Sequence, residues 1–239
     1  SVGSRFLRQN AKLLNYKNNF SILDSSDSRE LIKASLAETI GKPWKYFPKA
    51  AVLQNIFSLS FNRFCTQQMI LDSAYHERNF HLEQLLSADY PHFSENTETI
   101  LKVLSTYRRK KKRGQVMDFD DLLVLTLKLF NEYPEALEEC RARYQYVMVD
   151  EYQDTNATQF ELMRMLAAEH RNVCVVGDDD QSIYGWRGAE ISNLLDMEKY
   201  FPDLKVIKLE QNYRSTRVIL EAANAVIKNN PRRRPKQLW

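Results

Sequence analysis

Apolar positions along this chain change their spacing near its midpoint. From about residue 20 to 113 they recur at helical intervals, and Leu31, Ile32, Leu36 and Ile40 fall on one face of a helix. Asp27-Ser28-Arg29-Glu30 reads as the capping box that opens this helix, and Gly41 and Pro43 end it. Further helices are expected across 51–87 and 95–109, with Pro91 in the break between them. No alternating strand pattern stands out in this half.

After Asp118 the grammar differs. Leu122–Phe130 is helical, and then short apolar runs appear, each bounded by polar residues. Tyr146-Val147-Met148-Val149 runs into Asp150-Glu151, and Val173-Cys174-Val175-Val176 into Gly177 and three aspartates. Leu204-Lys205-Val206-Ile207-Lys208-Leu209 runs into Glu210. Between the first two runs, Asn156 with Gln159 can cap a helix carrying Phe160, Leu162, Met163 and Leu166. Strand, helix, strand, helix, strand predicts an α/β fold, a parallel sheet with covering helices.

Composition narrows this picture. With 239 residues, 44% hydrophobic and 27% charged, the chain is long enough for one large or two smaller cores. It holds no apolar stretch of about eighteen residues, which a membrane-spanning helix needs. Three cysteines, Cys65, Cys140 and Cys174, form no Cys-x-x-Cys pair, so a disulfide framework or zinc site is not expected and a reducing cytoplasm fits best. Net charge is +3 but unevenly spread: residues 1–117 hold 18 Lys and Arg against 10 Asp and Glu, residues 118–239 hold 16 against 21. A basic half suits nucleic-acid phosphates, and clustered carboxylates in an acidic half suit a metal ion.

In an open parallel sheet, ligands bind beyond the carboxyl ends of the strands. Those ends carry Asp150-Glu151, then Gly177-Asp178-Asp179-Asp180-Gln181, then Glu210-Gln211-Asn212-Tyr213-Arg214. An apolar strand that delivers Asp-Glu matches the needs of nucleotide hydrolysis: one carboxylate for Mg²⁺ and one to polarise water. Tyr184-x-Trp186-Arg187, on a glycine-bounded loop, supplies flat faces for bases and a guanidinium for phosphate.

Three blocks carry a family resemblance: Val149-Asp150-Glu151-Tyr152-Gln153-Asp154-Thr155-Asn156, Val176 through Ala189, and Leu209-Glu210-Gln211-Asn212-Tyr213-Arg214-Ser215. In order and spacing they resemble motifs II, III and IV of superfamily 1 DNA helicases. Met117-Asp118-Phe119-Asp120-Asp121-Leu122-Leu123 is similar to the segment before motif II in the UvrD, PcrA and Rep group, with the likeness nearest to Rep. The resemblance implies ATP and Mg²⁺ as cofactors. It gives Asp150 the metal, Glu151 the role of catalytic base, and Gln181 that of γ-phosphate sensor. Arg214 becomes the cationic finger, Tyr213 the adenine stack, and Tyr184, Trp186 and Arg187 the contacts to single-stranded DNA. It also implies movement 3′ to 5′ along single strands and duplex separation, acting at single/double-strand junctions.

Under that resemblance the expected layout has four parts. Residues 1–17 are a remnant of the first motor domain and 18–113 a helical insertion. Residues 114–209 form a partial RecA-like sheet of the P-loop NTPase type, and 210–239 hold motif IV and the start of a second motor domain. No Gly-x-x-x-x-Gly-Lys-Ser/Thr occurs; Gly41-Lys42 precedes a proline and lacks the upstream glycine. The expectation is therefore an excised fragment, inactive alone in ATP hydrolysis, whose exposed sheet edge favours self-association. Two rival readings are a non-catalytic DNA-binding or assembly factor and a motor subunit of a recombination helicase–nuclease complex.

Some signals are weaker than they look. In His76-Glu77-Arg78-Asn79-Phe80-His81 the histidines are five positions apart, about 140° beyond a full helical turn, so they share no face. Asp118, Asp120 and Asp121 stand where a helix begins and read as capping groups. The six cations Arg108–Arg113 read as a solvated face or link, with phosphate contact as the other reading.

Overall fold

The computed structural model describes residues 2–63, 80–231 and 233–239. Cys65 and the His76–Asn79 part of the histidine pair therefore lie outside the described residues.

Helix α1 (Val2–Gln9) lays Phe6 and Leu7 against α6 (Phe119–Glu132). Gly3 permits this packing: a Cβ there would stand 2.8 Å from the Leu122 carbonyl oxygen and 3.2 Å from Thr126 Oγ1. A short strand, β1 (Ser21–Ile22), runs parallel to β2 (Val116–Met117), with Ser21 opposite Val116. This pair departs from the sequence reading, which expects no strand before residue 113. Two residues give no alternation to detect.

Between these strands lies a helical unit. Helix α2 (Ser25–Ile40) opens at Asp24, whose carboxylate accepts from the N–H groups of Ser26 and Asp27 at 2.7 and 2.8 Å. The predicted capping box at Asp27–Glu30 thus falls inside the first turn, because Asp24 reaches the orphan donors first and Glu30 pairs with Lys33 instead. Gly41 ends the helix as expected, at φ +70°. Helices α3 (Ala50–Asn62), α4 (Phe80–Asp89) and α5 (Thr97–Gly114) close a core of Ile32, Leu53, Ile56, Leu85, Ile100 and Val103.

Asp118 and Asp121 form a reciprocal capping box at the start of α6, the role expected of them. Pro134 opens α7 (Pro134–Arg143), and then comes the second strand pair. β3 (Val147–Val149) and β4 (Val173–Val175) are parallel, in register Val147 to Val173. Helix α8 (Ala157–Ala167) makes the crossover between them, opened by the expected Asn156–Gln159 box. One face of this pair is covered: Val147, Val149, Val173 and Val175 pack on Phe160, Met163, Met197 and Phe201. The other face is open, with Met148 77% exposed. Helices on one side and short parallel strands make the chain α/β, with fewer strands paired than the pattern predicts.

The third predicted strand is the main correction. Residues 204–209 join no ladder among the described residues, and Val206, Ile207 and Leu209 are exposed. Their backbone leads instead to Glu210, whose carbonyl accepts from the Trp239 N–H at 3.0 Å, while the Asn212 N–H donates to the Trp239 carbonyl at 2.7 Å. An alternating run records a capacity to pair, and a strand forms only where a neighbour offers its N–H and C=O groups. Helices α9 (Ser192–Leu195), α10 (Met197–Tyr200) and α11 (Arg217–Ile227) complete the described chain. Among the described residues no helix is long and apolar enough to cross a membrane, and Cys140 and Cys174 are free thiols.

Candidate functional site

The parallel pair brings the ends of β3 and β4 side by side. Asp150 and Glu151 leave β3 exposed to solvent, and Glu151 adopts left-handed backbone, φ 49° and ψ 42°. Such a conformation is costly for a residue with a Cβ and persists only where neighbours hold it. The holding is visible in the next residue. Tyr152 is fully buried, its N–H donates to the Val176 carbonyl at 2.9 Å, and its hydroxyl donates to Met197 Sδ at 3.4 Å. Tyr152 therefore anchors the turn into the core while Glu151 is turned outward.

Gln153 follows, 1% exposed. Its Nε2 donates to Glu151 Oε2 at 2.8 Å, and its Oε1 accepts from the Asp178 N–H at 2.9 Å. Gly177 makes room for this approach: a Cβ there would lie 2.8 Å from Gln153 Oε1 and 3.2 Å from its backbone nitrogen. Asp178 in turn accepts from Gln181 Nε2 at 2.7 Å through Oδ2 and from the Asp180 N–H at 3.0 Å through Oδ1. Glu151, Gln153, Asp178 and Gln181 are thus joined without a break. Sequence reasoning assigned no role to Gln153 or Asp178, and neither carries a periodicity signal that would mark it.

Three residues beyond Gln181, Tyr184 begins the aromatic cluster. Trp186 is 67% exposed, so a core role is excluded by its placement. The Arg187 guanidinium lies 5.0 Å from the Tyr184 ring centroid and 4.6 Å from that of Trp186, which keeps the three side chains together in solvent. Gly188, at φ +87°, closes this turn close to Asn62 of α3.

The aspartate triplet Asp178–Asp180 has carboxylate oxygens within 4.8 Å of one another. Cations from the C-terminal segment already engage them. Arg233 forks onto Asp180 at 2.9 and 2.8 Å. Lys236 meets Asp178, Asp179 and Asp180, the last at 3.3 Å. Burial pushes the Asp178 carboxyl up, but hydrogen bonds from Lys236, Gln181 and the Asp180 N–H outweigh it and hold it below the usual carboxylate range. Lys236 was not singled out in the sequence.

Tyr213 and Arg214 are not brought to this cluster. Tyr213 is 87% exposed and bonds only locally, to Gln211 Oε1 at 2.8 Å. Among the described residues, no hydrogen bond or ion pair joins the Arg214 side chain to Asp150, Glu151 or Gln181.

Nor is the basic run a free cationic face. Lys111 is 3% exposed and bridges Asp118 and Asp121 at 2.6 and 2.7 Å. Arg109 and Lys110 pair with Glu38, and Arg108 lies over the Phe61 ring. Lys112 donates to the Leu14 carbonyl and sits over the Tyr16 ring. Lys112 and Arg108 line a cavity of about 450 Å³ with Tyr16, Lys128 and Tyr133, and none of the predicted site residues is in its wall.

As a metal site, the strand end fits. Asp150 Oδ1 accepts from the Glu151 N–H at 2.9 Å, and the exposed Oδ2 is a hard oxygen suited to a divalent cation. As a complete triphosphate site it does not fit, because no glycine-rich loop in this chain offers a cradle of N–H groups.

Paired parallel strands thus end in Asp-Glu and Gly-Asp, and Gln153 bridges those two ends beside the loop that leads to the exposed aromatics. The family described as UvrD/REP helicase N-terminal domain matches residues 1–202, and the chain belongs to that family. It is 41% identical over 239 residues to the ATP-dependent DNA helicase PcrA of Staphylococcus aureus (strain Mu50). It is 43% identical to the protein of the same name from Bacillus subtilis (strain 168), and 42% to that of Staphylococcus epidermidis. All of this chain is covered in each match, and it spans about 30% of the length of these relatives.

Proposed function

We propose that this chain is the section of an ATP-dependent DNA helicase in which hydrolysis is linked to the grip on single-stranded DNA. The observation that carries the reading is the unbroken path from Glu151 to Gln181, three residues before the exposed Tyr184–Trp186–Arg187 cluster. Asp150 would hold Mg²⁺, which when bound neutralises charge on the β- and γ-phosphates. Glu151 orients and deprotonates the attacking water, and its left-handed backbone directs the carboxylate away from the core. Gln181 meets the γ-phosphate. Tyr184 and Trp186 stack on bases, and Arg187 meets a phosphate.

Arg214 and Tyr213 belong to the same reading as the cationic finger and the adenine stack. Their exposure here supports a role completed only when nucleotide is bound. Movement is 3′ to 5′ and acts at junctions of single and double strands. The 239-residue chain alone does not hydrolyse ATP, since it has no phosphate cradle. Its open β3–β4 face, with Met148 and Val176 exposed, favours self-association.

The test is DNA-stimulated ATP hydrolysis by the full-length gene product beside its Glu151→Gln variant. Many-fold stimulation by single strands, abolished in the variant, is the expected result. A full-length product with no turnover on any nucleic acid would overturn the motor reading and leave a DNA-binding factor. Turnover by the 239-residue chain itself, lost on Glu151→Gln, would overturn its predicted inactivity.

A further inference from the structure

We infer that Gln153 is the positioning residue for the Glu151 carboxylate and the mechanical link between it and the Gln181 loop. The inference rests on the reading of Glu151 as catalytic base, and it concerns what holds that base in place.

The orientation of the Gln153 amide is fixed by its two neighbours. A backbone N–H can only donate, so the atom facing Asp178 at 2.9 Å is the carbonyl oxygen. A carboxylate can only accept, so the atom facing Glu151 at 2.8 Å is the amide nitrogen. Flipping the amide would set donor against donor and acceptor against acceptor. Glutamine is the residue that offers one donor and one acceptor at this reach in a single neutral plane.

Three consequences follow from burial. The amide is enclosed, so a lost partner would leave a desolvated polar group, and the two bonds hold each other in place. One carboxylate oxygen of Glu151 is taken by Gln153, which leaves the other to receive the proton of the attacking water. Finally, Asp178 presents its N–H to Gln153 and its carboxylate to Gln181. A shift of the Gln181 loop on meeting phosphate therefore moves the same backbone nitrogen that sets the Glu151 carboxylate. Gly177 permits this contact, because a Cβ there would stand 2.8 Å from Gln153 Oε1.

Gln153 touches neither substrate nor metal in this account; it acts through Glu151. Its loss should therefore lower kcat and leave the KM for ATP nearly unchanged. Misplacement of a reacting group by about 1 Å costs on the order of 100-fold, which sets the scale.

The experiment is the pH dependence of DNA-stimulated ATPase of the full-length product with Gln153→Glu, divided by wild type at each pH. A protonated carboxyl has the shape and the donor–acceptor pair of the amide, whereas an ionised one repels Glu151. The expected kcat is down on the order of 10- to 100-fold at pH 8.5, with KM within about twofold, as uniform binding is untouched. The ratio should recover at least roughly fivefold towards pH 6, because a neighbouring carboxylate favours protonation of the introduced group. Gln153→Asn, one methylene too short to span both partners, should show the same loss with no recovery.

If Gln153→Glu follows wild type at every pH, or if Gln153→Asn keeps full kcat, the inference is wrong and the motor reading survives. Equal loss and equal acid recovery in both variants would also overturn it, since the loss would then be one of folding. A silent wild-type product overturns the motor reading and this inference together.

Discussion

Two aspartate triplets stand in this chain, Asp118-x-Asp120-Asp121 and Asp178-Asp179-Asp180, and the fold treats them differently. The first lies at the junction of α5 and α6, where the Asp118 side chain is 11% exposed and that of Asp121 19%. Its charge is met by one buried ammonium, Lys111, by the Tyr107 hydroxyl on Asp118 at 2.7 Å, and by Asn62 and Ser58 on Asp120. The second sits at the end of β4, with Asp179 buried and Asp178 the most open at 30% side-chain exposure, and is met by cations from residues 233–236 together with the Gln181 amide. The buried Lys111 ammonium meets the first triplet from the neighbouring helix, so these carboxylates join α5 to α6. In the second, Asp178 is the most open and pairs with the Gln181 amide at the strand ends. The same residue type is thus met by a counter-charge from the neighbouring helix in one case and from a segment about 55 residues away in the other.

The comparison breaks most sharply at Lys111. Replacing it by methionine keeps the packing volume but leaves Asp118 and Asp121 buried without their cation. Removing one partner of a buried ion pair costs about 3–5 kcal/mol. Urea unfolding of Lys111→Met should show a loss of that size, with Trp186 still exposed and the m-value unchanged. A loss under about 1 kcal/mol, the range of exposed pairs, would mean that the first triplet is as solvated as the second.

A finer test uses pH. Burial and the neighbouring Asp118 charge push the Asp121 carboxyl up to about 6, against the opposing pull of Lys111. Asp118, although burial raises it, is held below its ordinary value by Lys111, the Asp121 N–H and Tyr107. A raised carboxyl means that the folded chain holds its proton longer than the unfolded chain. Its contribution to stability is therefore full below pH about 4, the ordinary carboxylate range, and lost as pH rises through about 6. Asp118 acts oppositely, with stability present above that ordinary range and lost only on further acidification.

Asp121→Asn fixes the neutral form at every pH. The stability difference between Asp121→Asn and wild type should grow in favour of the variant from pH 4 to 6 and flatten above 7. Two pKa units bound the effect at about 3 kcal/mol, and coupling to Asp118 makes about half of that the better expectation. A difference that is constant with pH would show that Asp121 titrates normally.

Which of these features the sequence announces depends on how local their cause is. Helix ends at Gly41 and Asn156, the two strands of the parallel pair, and Asp150-Glu151 at a strand end follow from spacing and capping chemistry within a few residues. Lys111 was legible too, though hidden in a run of six cations: it follows Ile100, Val103, Leu104 and Tyr107 at helical intervals, on the face that packs. Counting charge along the run concealed what counting faces reveals. The unpaired state of 204–209 was not legible, because pairing is decided by a neighbour. Gln153 was invisible for a similar reason, since its two partners lie in different strand-end loops and meet only after β3 and β4 are aligned.

The weakest contact of the comparison lies at the second triplet. Lys236 reaches all three aspartates and is itself mostly shielded, so its ammonium is held charged beyond its ordinary range despite the cost of burial. Asp178 is the partner most open to water, and Asp180 keeps its pair with Arg233, so losing Lys236 strands less buried charge than losing Lys111. Lys236→Met should therefore lower stability by less than Lys111→Met does, with a loss that shrinks near 1 M salt, where the screening length falls to about 3 Å. Lys111→Met should lose nearly the same stability at either salt concentration, because its pair is dry. If the salt dependence of the two variants is equal, the second triplet is as shielded as the first, and Asp178 has no freedom to relay a movement of Gln181. If only Lys236→Met responds to salt, the loop at the end of β4 is loosely held, as a sensor that must shift on meeting phosphate requires.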